Sequence, residues 1–210
     1  MRLLVLALIT VLLSACAGLA RVPEDRFYRL ATPEPAHHLD WPAVTRSVVV
    51  QPLEADGLYT ERAIIFSEDP GHRVLQQYHY HFWLDAPGRL LQDYVAAYLR
   101  ASGLAGRVSA EYSGAPADYV VSGRVRRFER LLDGEGGQVV VALQLRLLPP
   151  DSDSPLVAGQ YQAAKPDGGS LAGSVEAFER ALDSILAEFV GDVQRATEAQ
   201  TMSSARGPGS

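Results

Sequence analysis

The thiol of Cys16 is the most chemically committed group in this 210-residue chain, because it is the single cysteine. It follows Arg2, an apolar run from Leu3 to Leu13 and the small pair Ser14-Ala15. A positive start, a short apolar core and small residues before a cut site make the order of a secretory signal. The run is well short of the roughly 20 residues that span a bilayer. In an exported chain a lone thiol has no internal disulfide partner, so it is free, intermolecular or consumed by modification.

Three other groups of residues could do chemistry. Ser170 sits in Gly168-Gly169-Ser170-Leu171-Ala172, but a nucleophile elbow, Gly-x-Ser-x-Gly, needs glycine where Ala172 stands. A loop before a helix is the expectation there; a periplasmic hydrolase would need Ser170 paired with a base such as His72 or His81. His79 and His81 lie two apart and share one face of a strand. A tight metal site takes three or four ligands, and only folding could add His72 or the loop pair His37-His38. No metal or other cofactor is expected. Arg124, Arg126, Arg127 and Arg130 crowd one segment. They read as a solvated strand face met by cross-strand acids, or as a surface for an acidic partner or lipid headgroup. Exposed arginines at a sheet edge also discourage unwanted strand pairing. No Gly-x-x-x-x-Gly-Lys-Ser/Thr segment occurs, so nucleotide use would belong to a partner.

The leader ending Leu13-Ser14-Ala15-Cys16 resembles a bacterial lipoprotein lipobox. That resemblance implies cleavage before Cys16 and acylation of its sulfur and its new amine. Each buried lipid CH₂ contributes about 0.8 kcal/mol, and stable anchoring needs more than one chain. A diacylglyceryl group with an amide-linked acyl chain meets that need. Ala17 follows, where an Asp would favour inner-membrane retention, so the expected address is the periplasmic face of the outer membrane, with the inner membrane as the alternative. Cleavage removes Arg2 and leaves 18 basic against 25 acidic side chains, a net charge near −7. Such a balance argues against nucleic acid as a partner. The remaining length suits one domain with its own core.

The elements that must position these groups are legible in outline. Residues 16–25 read as a tether reaching at most about 30 Å from Ala17 to Asp25, at roughly 3.3 Å per residue. Arg26 to Leu30 reads as a first strand, and Ala31 to Pro42 as an exposed proline-rich loop. Ser47 to Leu53 and Arg62 to Ser67 read as strands, the first ended by Pro52. Val74 to Leu84 is an aromatic strand whose Tyr78, Tyr80 and Phe82 face is expected to be core. Asp85 is placed as a helix N-cap with Pro87 in the first turn. Leu90, Leu91, Tyr94, Val95, Tyr98 and Leu99 make the helical stripe, closed by Gly103. Arg107 to Tyr112, Ala117 to Leu131, Gln138 to Leu148 and Leu156 to Ala164 follow as strands. Residues 133–137 form a hairpin loop between two of them. A last helix spans Leu171 to Ala196, with Val175, Phe178, Leu182, Ile185, Leu186, Phe189, Val190 and Val193 as its stripe. Residues 26–198 form a single domain, with 199–210 a disordered tail. The order predicts an α+β fold: a mostly antiparallel sheet with two main helices packed on it, behind a cleaved lipoprotein signal peptide of residues 1–15.

Several local sequences, in this order, resemble one family. They are Arg26-Phe27-Tyr28-Arg29-Leu30 shortly after the cysteine, and the valine-rich Ser47 to Leu53 ending in proline. Next come Tyr78 to Pro87 with Trp83, Gly103 with Val108, and Tyr119 to Glu129 entered from Ala117-Asp118-Tyr119. The chain resembles the PqiC/YmbA-type lipoproteins, auxiliary components of ABC-type and MCE-domain transport systems. The pair His79 and His81 and the His37-His38 loop have no place in that pattern. The resemblance implies a non-enzymatic role in lipid transport between bacterial membranes. Its partners would be an MCE-domain periplasmic protein and inner-membrane permease components. A homo-oligomeric ring fits a conduit, which needs a closed wall. Trp83, Tyr80, Arg124 and Arg126 are the candidate partner or lipid contacts. A stand-alone lipoprotein binding a small apolar ligand is the alternative reading.

Overall fold

A computed structural model describes residues 23–36, 38–39, 45–110, 117–133 and 136–205. Cys16, its leader and His37 lie outside the described residues. The strands are β1 (Arg26–Tyr28), β2 (Thr45–Val50), β3 (Ala63–Ser67), β4 (Gln76–Trp83), β5 (Ala105–Ser109), β6 (Tyr119–Asp133), β7 (Gly136–Leu148) and β8 (Val157–Pro166). A 3₁₀ turn, Gly57–Thr60, lies between β2 and β3; the helices are α1 (Pro87–Ala101) and α2 (Leu171–Ala205).

β6 is the spine. One edge runs antiparallel to β7, which continues to β8. The other edge is shared: Tyr119 to Val121 pair with β2, and Glu129 to Leu131 pair with β3, both in parallel. β5 extends β2, while β4 and then β1 extend β3. The fold is α+β as expected, and its sheet is mixed. The antiparallel ladders of the meander are long. The parallel ones on β6 are short, because β2 and β3 divide one of its edges between them.

Both helices cover one face of the sheet. All six expected stripe residues of α1 are buried, and those of α2 are buried except the half-buried Val175. They pack on Val121, Val125, Phe128, Leu143, Leu145 and Leu147, the inward residues of β6 and β7. At about 25 cal/mol per Å² of apolar surface removed from water, this layer is the main stabilising contribution. Polar ties fix the helices in place. The Tyr94 hydroxyl on α1 donates to Asp183 on α2 at 2.8 Å, and Tyr161 on β8 donates to Asp192 on α2 at 2.7 Å. Burial and the neighbouring carboxylates push both phenols up from their ordinary values.

The helix ends differ from expectation at one place and agree at another. The cap of α1 is Ala86, not Asp85, and its side chain makes no capping bond. Pro87 at the first helical position instead presets the backbone and removes one orphan donor. At the far end Gly103 has φ +73, with its N–H to Arg100 O and the Leu104 N–H to Leu99 O. That pair of bonds is a Schellman closure. β5 begins at Ala105, directly after it. The β6–β7 ladder runs to Asp133 opposite Gly136, so the hairpin loop is tighter than expected. α2 continues to Ala205, well past Ala196, so residues 199–205 are helical.

Candidate functional site

Covering one sheet face with two helices leaves the other open. Alternation puts Ser122 and Arg124 of β6, with Gln144 and Arg146 of β7, on that open face. Ser122 stands opposite Arg146, and Arg124 opposite Gln144. A bulge between Val125 and Arg127 inserts Arg126, which is exposed. These residues, with Glu54 and Gly123, line an open cleft of about 450 Å³. Arg124 is held by Asp56 at 2.9 Å and by Glu54. Arg126 donates to Gln144 Oε1 at 3.3 Å. Among the described residues Arg146 has no carboxylate against it. The cleft therefore carries three guanidinium groups against two carboxylates, on a chain whose formal net charge is −6.

The bulge also divides the expected arginine cluster. Arg124 and Arg126 stay outside, and Arg127 pairs with Glu129 at 2.6 Å. Arg130 is turned inward and is 7 % exposed. It pairs with Asp167 and donates to the Tyr78 hydroxyl at 2.9 Å. Asp167 also accepts from the Gly169 N–H at 2.8 Å and the Ser174 hydroxyl at 3.0 Å. Burial alone would raise its carboxyl, but the bonds from Arg130, Gly169 and Ser174 outweigh it and hold the group below its ordinary value. A methyl group on Gly137 would lie 2.5 Å from Asp167 Oδ2, so glycine is required beside this pair. Arg130 is thus structural and does not belong to the solvated face.

The other expected positions separate in the same way. Trp83 is 1 % exposed and packs on Phe128 and Phe178 at 5.1 and 5.3 Å between ring centroids. It is a core residue with no surface to offer a partner. Tyr80 is 38 % exposed and Phe82 is half-buried, while Tyr78 packs against the core beside Arg130; an irregularity of β4 between Gln77 and Phe82 splits the expected Tyr78, Tyr80 and Phe82 face, which is not the core. No helix covers that side of β4, so the inward position falls to Trp83.

His81 Nδ1 lies 2.8 Å from the Tyr28 hydroxyl, and burial with the Arg26 charge lowers its basicity. His38 donates from Nδ1 to the Ala101 carbonyl at 2.8 Å, at the end of α1. His79 is exposed. Among the described residues no three His, Cys, Asp or Glu side chains gather as a metal site. Ser170 Oγ accepts the Gly173 N–H at 3.0 Å and so caps α2, as expected for a loop before a helix.

Asp118 is a residue whose role the sequence left unread. Its Oδ2 accepts from the Ser47 N–H at 2.8 Å, and from Thr45, the Arg46 N–H and the Ser47 hydroxyl at 3.1 Å. It therefore ties the start of β2 to the start of β6. The only signal was its place in Ala117-Asp118-Tyr119 before a long strand.

A family model described as the ABC-type transport auxiliary lipoprotein component matches residues 28–190. That stretch holds every strand from the end of β1 onward, α1 and most of α2. The chain belongs to this family. The crystal structure of protein XCC0632 from Xanthomonas campestris is similar, with a TM-score of 0.70 and 23% identity, covering 84% of this chain and 99% of that one. A second crystal structure, of a protein described only as uncharacterized, has a TM-score of 0.66 and 12% identity, covering 81% and 99%. At those identities the likeness is one of fold. No curated protein matches the chain. As an auxiliary lipoprotein component of transport, the chain is of the PqiC/YmbA type expected from its motifs. Among its described residues no helix is long and apolar enough to cross a membrane.

Proposed function

We propose that this auxiliary lipoprotein component works in an MCE-type lipid-transport system, as a docking or conduit element held by Cys16 at the periplasmic face of the outer membrane. The observation that carries the proposal is the family match over residues 28–190, in a chain whose Cys16 stands twelve residues before that stretch. The reading is non-enzymatic: Ser170 is engaged in capping α2. Lipid transfer through water needs a shielded apolar path, and an acylated domain gives that path a fixed end. An MCE-domain protein and inner-membrane permease components are the partners this role requires. The open cleft with Arg126 and Arg146 would receive an acidic segment of the MCE-domain protein. Complementary charge raises the rate of encounter and fixes register more than it raises affinity.

Crosslinking in native membranes followed by purification tests the proposal. Recovery of an MCE-domain protein or permease supports it, and loss of that recovery in Arg126→Glu/Arg146→Glu locates the contact. Efficient crosslinking that recovers no transport component overturns it. The layer between helices and sheet, where a stand-alone carrier would hold an apolar ligand, is filled by Trp83, Phe128, Phe178 and Phe189.

A further inference from the structure

The open sheet face has a second, apolar region away from the arginine cleft. Phe27 on β1 is 51 % exposed and stacks on Phe82 of β4, with ring centroids 5.7 Å apart. Tyr80, two residues before Phe82 on the same strand, is 38 % exposed. Leu58, on the 3₁₀ turn, is 36 % exposed and lines a shallow groove with Phe82 and Arg62. The Arg62 guanidinium lies 5.5 Å from the centre of the Phe27 ring. We propose that this corner, Phe27, Tyr80, Phe82 and Leu58 around Arg62, rests in the headgroup layer of the membrane to which the acylated Cys16 ties the chain. The inference rests on the anchored reading above and adds the orientation of the domain.

Three observations favour a lipid surface over other occupants. The first is connectivity. In sequence Cys16 stands ten residues before β1, whose second residue is Phe27. From Ala17 to Asp25 the chain spans at most about 30 Å at 3.3 Å per residue. A bilayer holding the acyl chains is therefore always within reach of Phe27, and tethering lets a weak contact suffice. The second is composition. Aromatic rings with a polar or charged tip suit the boundary between headgroups and acyl chains. Arg62 lies against the Phe27 ring and can still meet a phosphate. The third is charge. The whole chain is acidic, which opposes approach to anionic lipid, but at this corner Arg62 lies over the Phe27 ring and Arg26 precedes Phe27 on β1.

The test uses the full, acylated chain on vesicles of phosphatidylethanolamine and phosphatidylglycerol. Acylation consumes the only native thiol, so Leu58→Cys gives a unique labelling site; Leu58 is exposed, so the core is untouched. Gln200→Cys, exposed on α2, is the control. Brominated acyl chains should quench a fluorophore at position 58 about twofold and leave position 200 unchanged, as burial of the corner into the headgroup boundary requires. In Leu58→Cys/Phe27→Ser/Tyr80→Ser the quenching should vanish while flotation with the vesicles persists. Protein that floats with position 58 unquenched, or with both positions quenched alike, overturns the contact and leaves the corner to a protein. Protein that does not float overturns the anchored reading, and this contact with it.

Discussion

Asp167 carries the most buried ion pair among the described residues. Its side chain is fully buried, and it holds Arg130, the Gly169 N–H and the Ser174 hydroxyl together. Removing one partner of a buried pair strands the other charge and costs about 3–5 kcal/mol. Asp167→Ala should lose that much in urea unfolding, and Arg130→Met in the same chain should recover part of it. The pH dependence follows from sign. Asp167 and Asp118 both titrate below their ordinary value of 3.8 in the fold. For Asp118, as for Asp167, burial raises the group, and the bonds from Thr45, Ser47 and Arg46 outweigh it. A depressed carboxyl stabilises fully above the unfolded value and loses that contribution as pH falls through the folded one. Asp183, raised by burial, acts in the opposite sense. The contribution of Asp183 changes above its ordinary value and those of Asp167 and Asp118 below theirs, so stability should fall below about pH 4, and the fall should be shallower in Asp167→Asn. Thermal melts across pH 2.5 to 6, a range set to bracket that transition, would show it.

At the scale of elements, the closures of the helices matter most. Ser170 caps α2, and replacing such a residue by alanine typically costs about 1 kcal/mol. Ser170→Ala should melt slightly lower with no other phenotype; a lost hydrolytic activity would contradict the capping role. Gly103 combines φ +73 with Leu39 O 2.9 Å from where a Cβ would stand. Gly103→Ala should cost more than the cap, about 1–3 kcal/mol for the strained backbone, and should loosen both the end of α1 and the start of β5. Amide exchange at Leu104 and Ala105 would report the loosening. The bulge at Arg126 is the element-level decision with the widest effect. It sets which arginines face solvent and which one enters the core.

For the whole molecule, the prediction concerns where the protein is found. Cys16→Ala should shift the protein from the membrane fraction to the soluble one. Its melting temperature should stay unchanged, since the described core begins beyond that residue. Fractionation and a thermal melt of the released chain check both halves. A chain still sedimenting with membranes would show that something other than the acyl group holds it there.

The order of elements, both helical stripes and the helix-ending glycine were legible in the sequence because each rests on local periodicity or local backbone geometry. The stripe of α1 needs only the spacing of Leu90, Leu91, Tyr94, Val95, Tyr98 and Leu99. Tertiary structure alone decided which face of β4 is covered, so that Trp83 became core and Tyr80 surface. It alone decided that Arg130 turns inward to meet Asp167. Alternation gives two faces and does not say which one a helix will cover, and one bulged residue reverses the phase of everything after it. Strand direction had the same origin: β2 and β3 share one edge of β6 because of how the chain crosses the sheet, a long-range fact that no local window contains.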